Sequence, residues 1–288
     1  RENSTLPAAR CRGWFHIMST QGQFISLTLD TQETTIEYQW LNAENAQAPL
    51  MVFLHEGLGS VAMWKQFPQH LCDAIQCRGL VYSRPGYGRS TPRPADEKWG
   101  VDFMHRQAHD LLPRLLSALS IDTTLNPPWL FGHSDGGSIA LLYAAKYPKQ
   151  LAGAVVIAPH IMVEPLSIRS IEQSRTAYQE TDLRDKLTRH HDDVDSAFWG
   201  WNDIWLNPDF LNWNIEGELK TIRSPLLAVQ GLDDQYGTLE QIHAIQRQLP
   251  HTEILELANC GHSPHRDQAE ALIAATHRFI QRSPTTLH

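Results

Sequence analysis

Gly132-His133-Ser134-Asp135-Gly136 sets a serine between two glycines, with a short apolar run before it and a helix-forming run after it. A hydroxyl becomes a usable nucleophile when a sharp strand-to-helix turn holds it out of a sheet, and G-x-S-x-G is the pattern that builds such a turn. The glycines have a mechanical reason, because a side chain two positions to either side of Ser134 would collide with the neighbouring strand or helix. Pro127 to Phe131 reads as the strand and Ser138 to Tyr147 as the helix. A neutral serine attacks poorly at pH 7, so it needs a histidine to take its proton and a carboxylate to hold that histidine. Both follow downstream at strand ends: Ser224 to Gly231 runs into Leu232-Asp233-Asp234, and Thr252 to Leu257 runs into Ala258-Asn259-Cys260-Gly261-His262. Either aspartate could hold the histidine. The chemistry implied is acyl transfer.

The elements that must position these residues alternate along the chain. Phe24 to Leu29 and Thr35 to Leu41 have period two and form a leading antiparallel pair, whereas Leu50 to Leu54 is continuously apolar, as a strand covered on both faces must be. A helix from Met63 to Ile75, a strand from Gly79 to Ser83, a helix from Asp102 to Leu119 kinked at Pro113, and a strand from Ala154 to Ala158 complete the repetition. This pattern predicts an α/β fold with a mostly parallel central sheet flanked by helices. From about residue 164 to 219 strand-like runs vanish. Helices are expected over Ser167 to Thr181, Leu183 to His190 and Val194 to Leu206, with His190-His191-Asp192-Asp193 as a solvated turn between the last two. Phe198, Trp199, Trp201, Trp205, Phe210 and Trp213 crowd into that segment, well above the 9% aromatic content of the whole chain. Most are expected to glue the segment to the core, with one or two lining an apolar pocket. Thr238-Leu239-Glu240-Gln241 fits a capping box at a helix start.

Four segments together make the chain resemble the α/β-hydrolase superfamily over most of its length: His55-Glu56-Gly57-Leu58-Gly59 after a strand, Gly132 to Gly137, Gly231-Leu232-Asp233-Asp234, and Gly261-His262. The resemblance implies an α/β-hydrolase core over 1–163 and 220–288 with an inserted helical cap over 164–219. By the same resemblance Ser134 is the nucleophile, His262 the base and Asp234 the acid, preferred to Asp233 because the acid in this superfamily usually falls three residues after the glycine. The oxyanion of a tetrahedral intermediate needs two donors. One is expected to be the backbone N–H of Asp135, at a helix N-terminus, and the other that of Gly57, with Leu58 the alternative. Leu58, His133, Trp199 and Trp205 are expected to contact substrate, with His265 a further possibility beside the site. The chain departs from the superfamily at Glu56, where a glycine is usual. A carboxylate facing the oxyanion would repel it, so Glu56 is expected to turn into an ion pair or hydrogen bond, the alternative being recognition of a substrate amine or hydroxyl. Ser83 stands where aspartate is common in the turn Ser83-Arg84-Pro85-Gly86-Tyr87-Gly88, which is expected to be structural.

A serine at the elbow excludes the branches that use aspartate there. Hydrolysis of a carboxylic ester, lactone or thioester of a small apolar or aromatic molecule remains, with C–C bond hydrolysis of a meta-cleavage-type diketone as the rival, for which Arg169 or Arg175 would hold a substrate carboxylate. A slow, ligand-sensing receptor is the third possibility. No cofactor and no metal is implied. His105 and His109 lack the intervening glutamate of a zinc-peptidase helix.

Composition agrees. With 24 Lys and Arg against 32 Asp and Glu, the net charge of −8 and the lack of any basic run argue against a nucleic-acid partner. No run of 18 apolar residues could span a membrane, and the opening residues show no secretion pattern. Cys11, Cys72, Cys77 and Cys260 have no metal spacing and are expected to be reduced thiols in a cytoplasmic protein, with Cys260 an apolar filler rather than a reactive thiol. Asn3-Ser4-Thr5 matches a glycosylation acceptor by coincidence. The sequence leaves the oligomeric state open.

Overall fold

A computed structural model describes residues 22–283. Cys11 and the Asn3-Ser4-Thr5 triplet lie outside the described residues. In chain order the elements are β1 (Gln23–Leu29), β2 (Gln32–Leu41), β3 (Leu50–Leu54), α1 (Phe67–Ile75), β4 (Arg78–Tyr82), α2 (Phe103–Arg106), α3 (Leu112–Ala118), β5 (Trp129–His133), α4 (Asp135–Lys146) and β6 (Gly153–Ile157). Then come α5 (Pro165–Glu180), α6 (Leu183–Thr188), α7 (Val194–Trp205), α8 (Glu216–Leu219), β7 (Leu226–Gly231), α9 (Glu240–Gln248), β8 (Glu253–Leu257), α10 (Pro264–Asp267) and α11 (Ala269–Arg282).

The eight strands form one sheet in the order β1-β2-β4-β3-β5-β6-β7-β8. β1 and β2 pair antiparallel, as their alternation predicts, and β2 also runs antiparallel to β4. From β4 to β8 every pairing is parallel. The strands β3, β5, β6 and β7 are buried along their whole length, and their apolar residues divide strictly by parity. Val52, Leu130, Val156 and Ala228 join one core, with Leu112, Leu142 and Ile245 of the helices on that face. Phe53, Phe131, Val155 and Val229 join the other, with Leu71 of α1 and Leu272 and Phe279 of α11. A side chain every second residue on each face, both faces covered, is why these strands are continuously apolar.

Two local details differ from expectation. The helix predicted from Asp102 to Leu119 is interrupted by a π turn over Gln107–Leu111 just before Pro113. Proline has no N–H to give His109 its i+4 bond, and the carbonyl of His109 accepts from the hydroxyl of Tyr147 instead, at 2.9 Å. The capping box at Thr238 does not close on itself. Gln241 instead reaches the amide of Ile161 and the carbonyl of Met162, while Glu164 accepts from both the amide and the hydroxyl of Thr238.

Residues from Pro165 to Leu219 are helical and contain no strand. They rest on loops that follow the central strands: Ser167 and Ser170 of α5 donate to the carbonyls of Tyr236 and Gln235, and Trp201 of α7 lies against Gly57. Their aromatic residues pack chiefly on one another. Tyr178 stacks on Phe198 at 3.7 Å, and Phe210 lies between Trp205 and Trp213 at 5.2 Å from each.

Candidate active site

Ser134 sits between β5 and α4 with φ 53° and ψ −120°, a conformation that costs an ordinary residue about 1–3 kcal/mol and is held by its surroundings. Its amide donates to the carbonyl of Ile157 on β6, and its carbonyl accepts the first helical bond from Ser138. The glycines beside it are required by close approach. A Cβ on Gly132 would lie 2.2 Å from the carbonyl oxygen of Gly136, and one on Gly136 would lie 2.0 Å from that of Leu54.

Three side chains 28 and 128 residues apart meet here. Oγ of Ser134 lies 3.0 Å from Nε2 of His262, and Nδ1 of His262 lies 3.0 and 2.9 Å from the two carboxylate oxygens of Asp234. Asp234 is fixed from the other side by the amides of Tyr236 and Gly237 and by Nε2 of Gln230 at 2.6 Å. Burial pushes the Asp234 carboxyl up, but the charge and hydrogen bond of His262 and the Tyr236 amide outweigh it, and it titrates below the usual carboxylate range. Asp233 is exposed.

The loop after β3 is tied down from three sides. His55 accepts from the amide of Arg84 at Nε2, so its Nδ1 carries the proton and donates to the carbonyl of Glu56 at 2.7 Å. Arg84 donates through Nη2 to the same carbonyl. His191 accepts from the amide of Gly88 at Nδ1 and donates from Nε2 to the carbonyl of Leu58. The expectation of a solvated turn at His190 to Asp193 is therefore corrected at His191, which is 4% exposed. Burial depresses His191 to about 4 and His55 well below the ordinary histidine value, so both rings are neutral at pH 7. Among the described residues the amides of Gly57 and Leu58 have no acceptor, whereas that of Gly59 donates to Glu56.

Glu56 turns away into a hydrogen bond, with Oε2 3.3 Å from Nδ1 of His133. The second nitrogen of His133 lies 2.7 Å from the carbonyl oxygen of His262. Both ring nitrogens are thus taken and the residue is 1% exposed, which removes His133 from the substrate contacts. Its neighbour His265 is also buried, packed on Trp64 and His133. Trp199 packs edge-on against Tyr178 and Phe198. Trp205 donates from Nε1 to Oδ1 of Asp135 at 3.2 Å and lies edge-on to His160 at 4.9 Å. Leu58 is partly buried beside Gly57. Arg175 is held by Asn202 and lies 3.9 Å from Asp203, and Arg169 is exposed. His105 hydrogen-bonds Glu218 at 2.8 Å and lies edge-on to His109 at 5.7 Å. Among the described residues no group of three or more His, Cys, Asp or Glu could hold a metal ion, and no helix is long and apolar enough to cross a membrane. Cys72, Cys77 and Cys260 are free and buried. Burial and nearby aspartates push the Cys260 thiol up to about 11, so it is protonated at neutral pH.

Sequence reasoning missed Gln230, Tyr236 and His160. Gln230 had a signal, a polar residue closing the apolar run Leu226 to Val229. Tyr236, whose ring lies 4.7 Å from that of His262, and His160, at 5.7 Å, had none.

A model of the alpha/beta hydrolase family matches residues 51–275. A 2-hydroxy-6-oxo-6-phenylhexa-2,4-dienoate hydrolase of Burkholderia cepacia is 22% identical over 81% of this chain and 88% of that protein. Among solved structures, a thermophilic esterase from Thermogutta terrifontis superposes with a TM-score of 0.68 at 20% identity, covering 90% of this chain and 98% of the esterase. The enol-lactonase of Burkholderia xenovorans gives the same TM-score at 15% identity, covering 90% of this chain and all of that one.

Proposed function

The chain belongs to the alpha/beta hydrolase family, and from that premise we propose that it is a serine hydrolase cleaving an ester, lactone or thioester of a small apolar or aromatic molecule through an acyl-enzyme. One observation carries this reading: the 3.0 Å approach of Ser134 Oγ to His262 Nε2 while Asp234 clasps the far nitrogen. Asp234 accepts at Nδ1, which fixes the tautomer with Nε2 bare and ready to take the serine proton as Oγ attacks the acyl carbon. The proton then passes from His262 to the leaving group, and water repeats the sequence to release the acid. Negative charge on the acyl oxygen falls to the amide of Asp135, at the N-terminus of the twelve-residue helix α4, and to that of Gly57 or Leu58. Residues 164–219 act as the cap that selects substrate, with Trp201, which lies against Gly57, its inner contact.

Purified protein should release p-nitrophenol from short acyl esters, and Ser134→Ala should reduce kcat by on the order of a millionfold while leaving the fold intact. Turnover unchanged in that variant would refute the assignment. A second reading, hydrolysis of a C–C bond in a vinylogous diketone, has specific support in the Burkholderia cepacia relative, which is named a 2-hydroxy-6-oxo-6-phenylhexa-2,4-dienoate hydrolase. The same serine and histidine would serve. Against it, Arg175 is engaged by Asn202 and Arg169 is exposed. Cleavage of such a diketone faster than any ester would select this second reading.

A further inference from the structure

The hydrogen bonds of His133 require a proton that a neutral ring and a carboxylate cannot supply. A carbonyl oxygen only accepts, so the nitrogen 2.7 Å from the His262 carbonyl carries a hydrogen. In a neutral imidazole the other nitrogen is then a bare acceptor, yet it lies 3.3 Å from a carboxylate oxygen of Glu56, which is an acceptor as well. Two acceptors do not hold each other, and an unpaired ring nitrogen is costly on an imidazole that is 1% exposed. We propose that Glu56 and His133 form a carboxylate–imidazolium brace that positions the nucleophile, the base and the oxyanion loop relative to one another. Glu56 precedes the amide of Gly57, His133 precedes Ser134, and the far end of the His133 ring holds the backbone of His262, so one three-point contact spans all three catalytic loops.

The surroundings agree. Glu56 is faced by His133 from the end of β5, His265 from α10 and His55 from the end of β3. Burial pushes its carboxyl up, but the hydrogen bond and charge of His133 bring it well below the ordinary glutamate range. Burial holds His265 near 2 and His55 well below its usual value, so neither of those rings balances the carboxylate. The ring of His133 lies 4.8 Å from His265 and 5.2 Å from His262, and its charge is also felt by His160, which burial lowers to about 3. Arg84 donates to the backbone carbonyl of Glu56 and pairs with Asp135 at 3.8 Å, so its own charge is directed to a different carboxylate. Glu56 and His133 are positioning residues, since neither is placed to touch the reacting atoms.

This inference rests on Ser134 being the nucleophile, but its first test does not depend on turnover. In protein with ¹⁵N-labelled histidine at neutral pH, both ring nitrogens of His133, assigned by their loss in His133→Asn, should carry bound protons. Glu56→Gln should convert Nδ1 to an acceptor, because a glutamine amide can donate to it without an added proton. In ester turnover, Glu56→Ala should lower kcat by on the order of 100-fold with KM changed by less than about threefold, as expected from displacing catalytic groups by a fraction of a bond length. Glu56→Gln should recover most of that loss. A neutral His133 ring in the wild type, or an Ala variant as active as wild type, would overturn the brace. A Gln variant as damaged as the Ala variant would do so too. If Glu56→Ala does not fold, the wild-type spectrum still decides. Wild type that hydrolyses no ester or diketone would instead count against the proposed function and leave the spectroscopic result standing.

Discussion

Asp233 and Asp234 are adjacent in sequence and opposite in circumstance, which makes them the sharpest comparison at the scale of single residues. Asp234 accepts from two backbone amides, Gln230 and His262, while Asp233 faces solvent. Asp234→Asn should present His262 with the wrong tautomer and reduce kcat by on the order of 10⁴-fold, and Asp233→Asn should leave it unchanged. Steady-state kinetics of the two variants check this, and equal effects would contradict the geometry. Trp205 has a subtler part. Its indole N–H is the side-chain donor to Asp135, a carboxylate buried next to Ser134, and burial raises the pKa of that carboxyl. Trp205→Phe keeps most of the packing but leaves Oδ1 unpaired, so chemical denaturation should show a loss of about 1–3 kcal/mol. Unchanged stability would mean that Asp135 finds another donor.

At the scale of elements, the tightest constraint is the elbow between β5 and α4. Gly136→Ala places a Cβ against the carbonyl of Leu54, a backbone atom that cannot swing aside. It should cost at least about 1–3 kcal/mol and lower activity as the elbow shifts, readable as a fall in thermal midpoint together with kcat. The local pieces of this architecture were legible from the chain. Leu50 to Leu54 is a strand with the predicted bounds, the elbow lies between a strand and a helix as its glycines require, and α5, α6 and α7 begin and end within a few residues of their predicted limits. These are short-range patterns set by periodicity and turn chemistry. The partners of polar side chains were not legible. His191 reaches Leu58 across 133 residues and His133 reaches Glu56 across 77, contacts decided by how loops from separate strands meet at one sheet edge. His191, inside His190-His191-Asp192-Asp193, sits in a run polar enough to read as solvated, and only the folded chain shows its ring filled by a backbone amide and a carbonyl. The site itself was visible because its members sit at strand ends with glycines nearby; Tyr236 and His160, which pack on His262, carry no such marker.

For the whole molecule, buried neutral histidines set the response to acid. His160, His191 and His265 titrate near 3, 4 and 2 in the folded chain against 6.5 for a free ring, each lowered chiefly by burial. A histidine lowered in this way binds its proton more readily when unfolded, so its contribution to stability is complete above about pH 6.5 and is lost as pH falls toward the folded value. The lowered carboxyls of Asp234 and Glu56 act in the same direction at lower pH. Together the three histidines imply a slope of up to about 4 kcal/mol per pH unit just below their unfolded pKa. Urea midpoints should therefore drop steeply between pH 7 and pH 5, and a flat or rising profile would contradict the neutral rings. The account as a whole depends on Ser134 being an activated nucleophile. Its most direct measurement is peptide mapping after treatment with a serine-directed fluorophosphonate. The prediction is one covalent adduct, on Ser134, lost in Ser134→Ala and strongly slowed in His262→Ala; an unlabelled Ser134, or an adduct on a different residue, would contradict it.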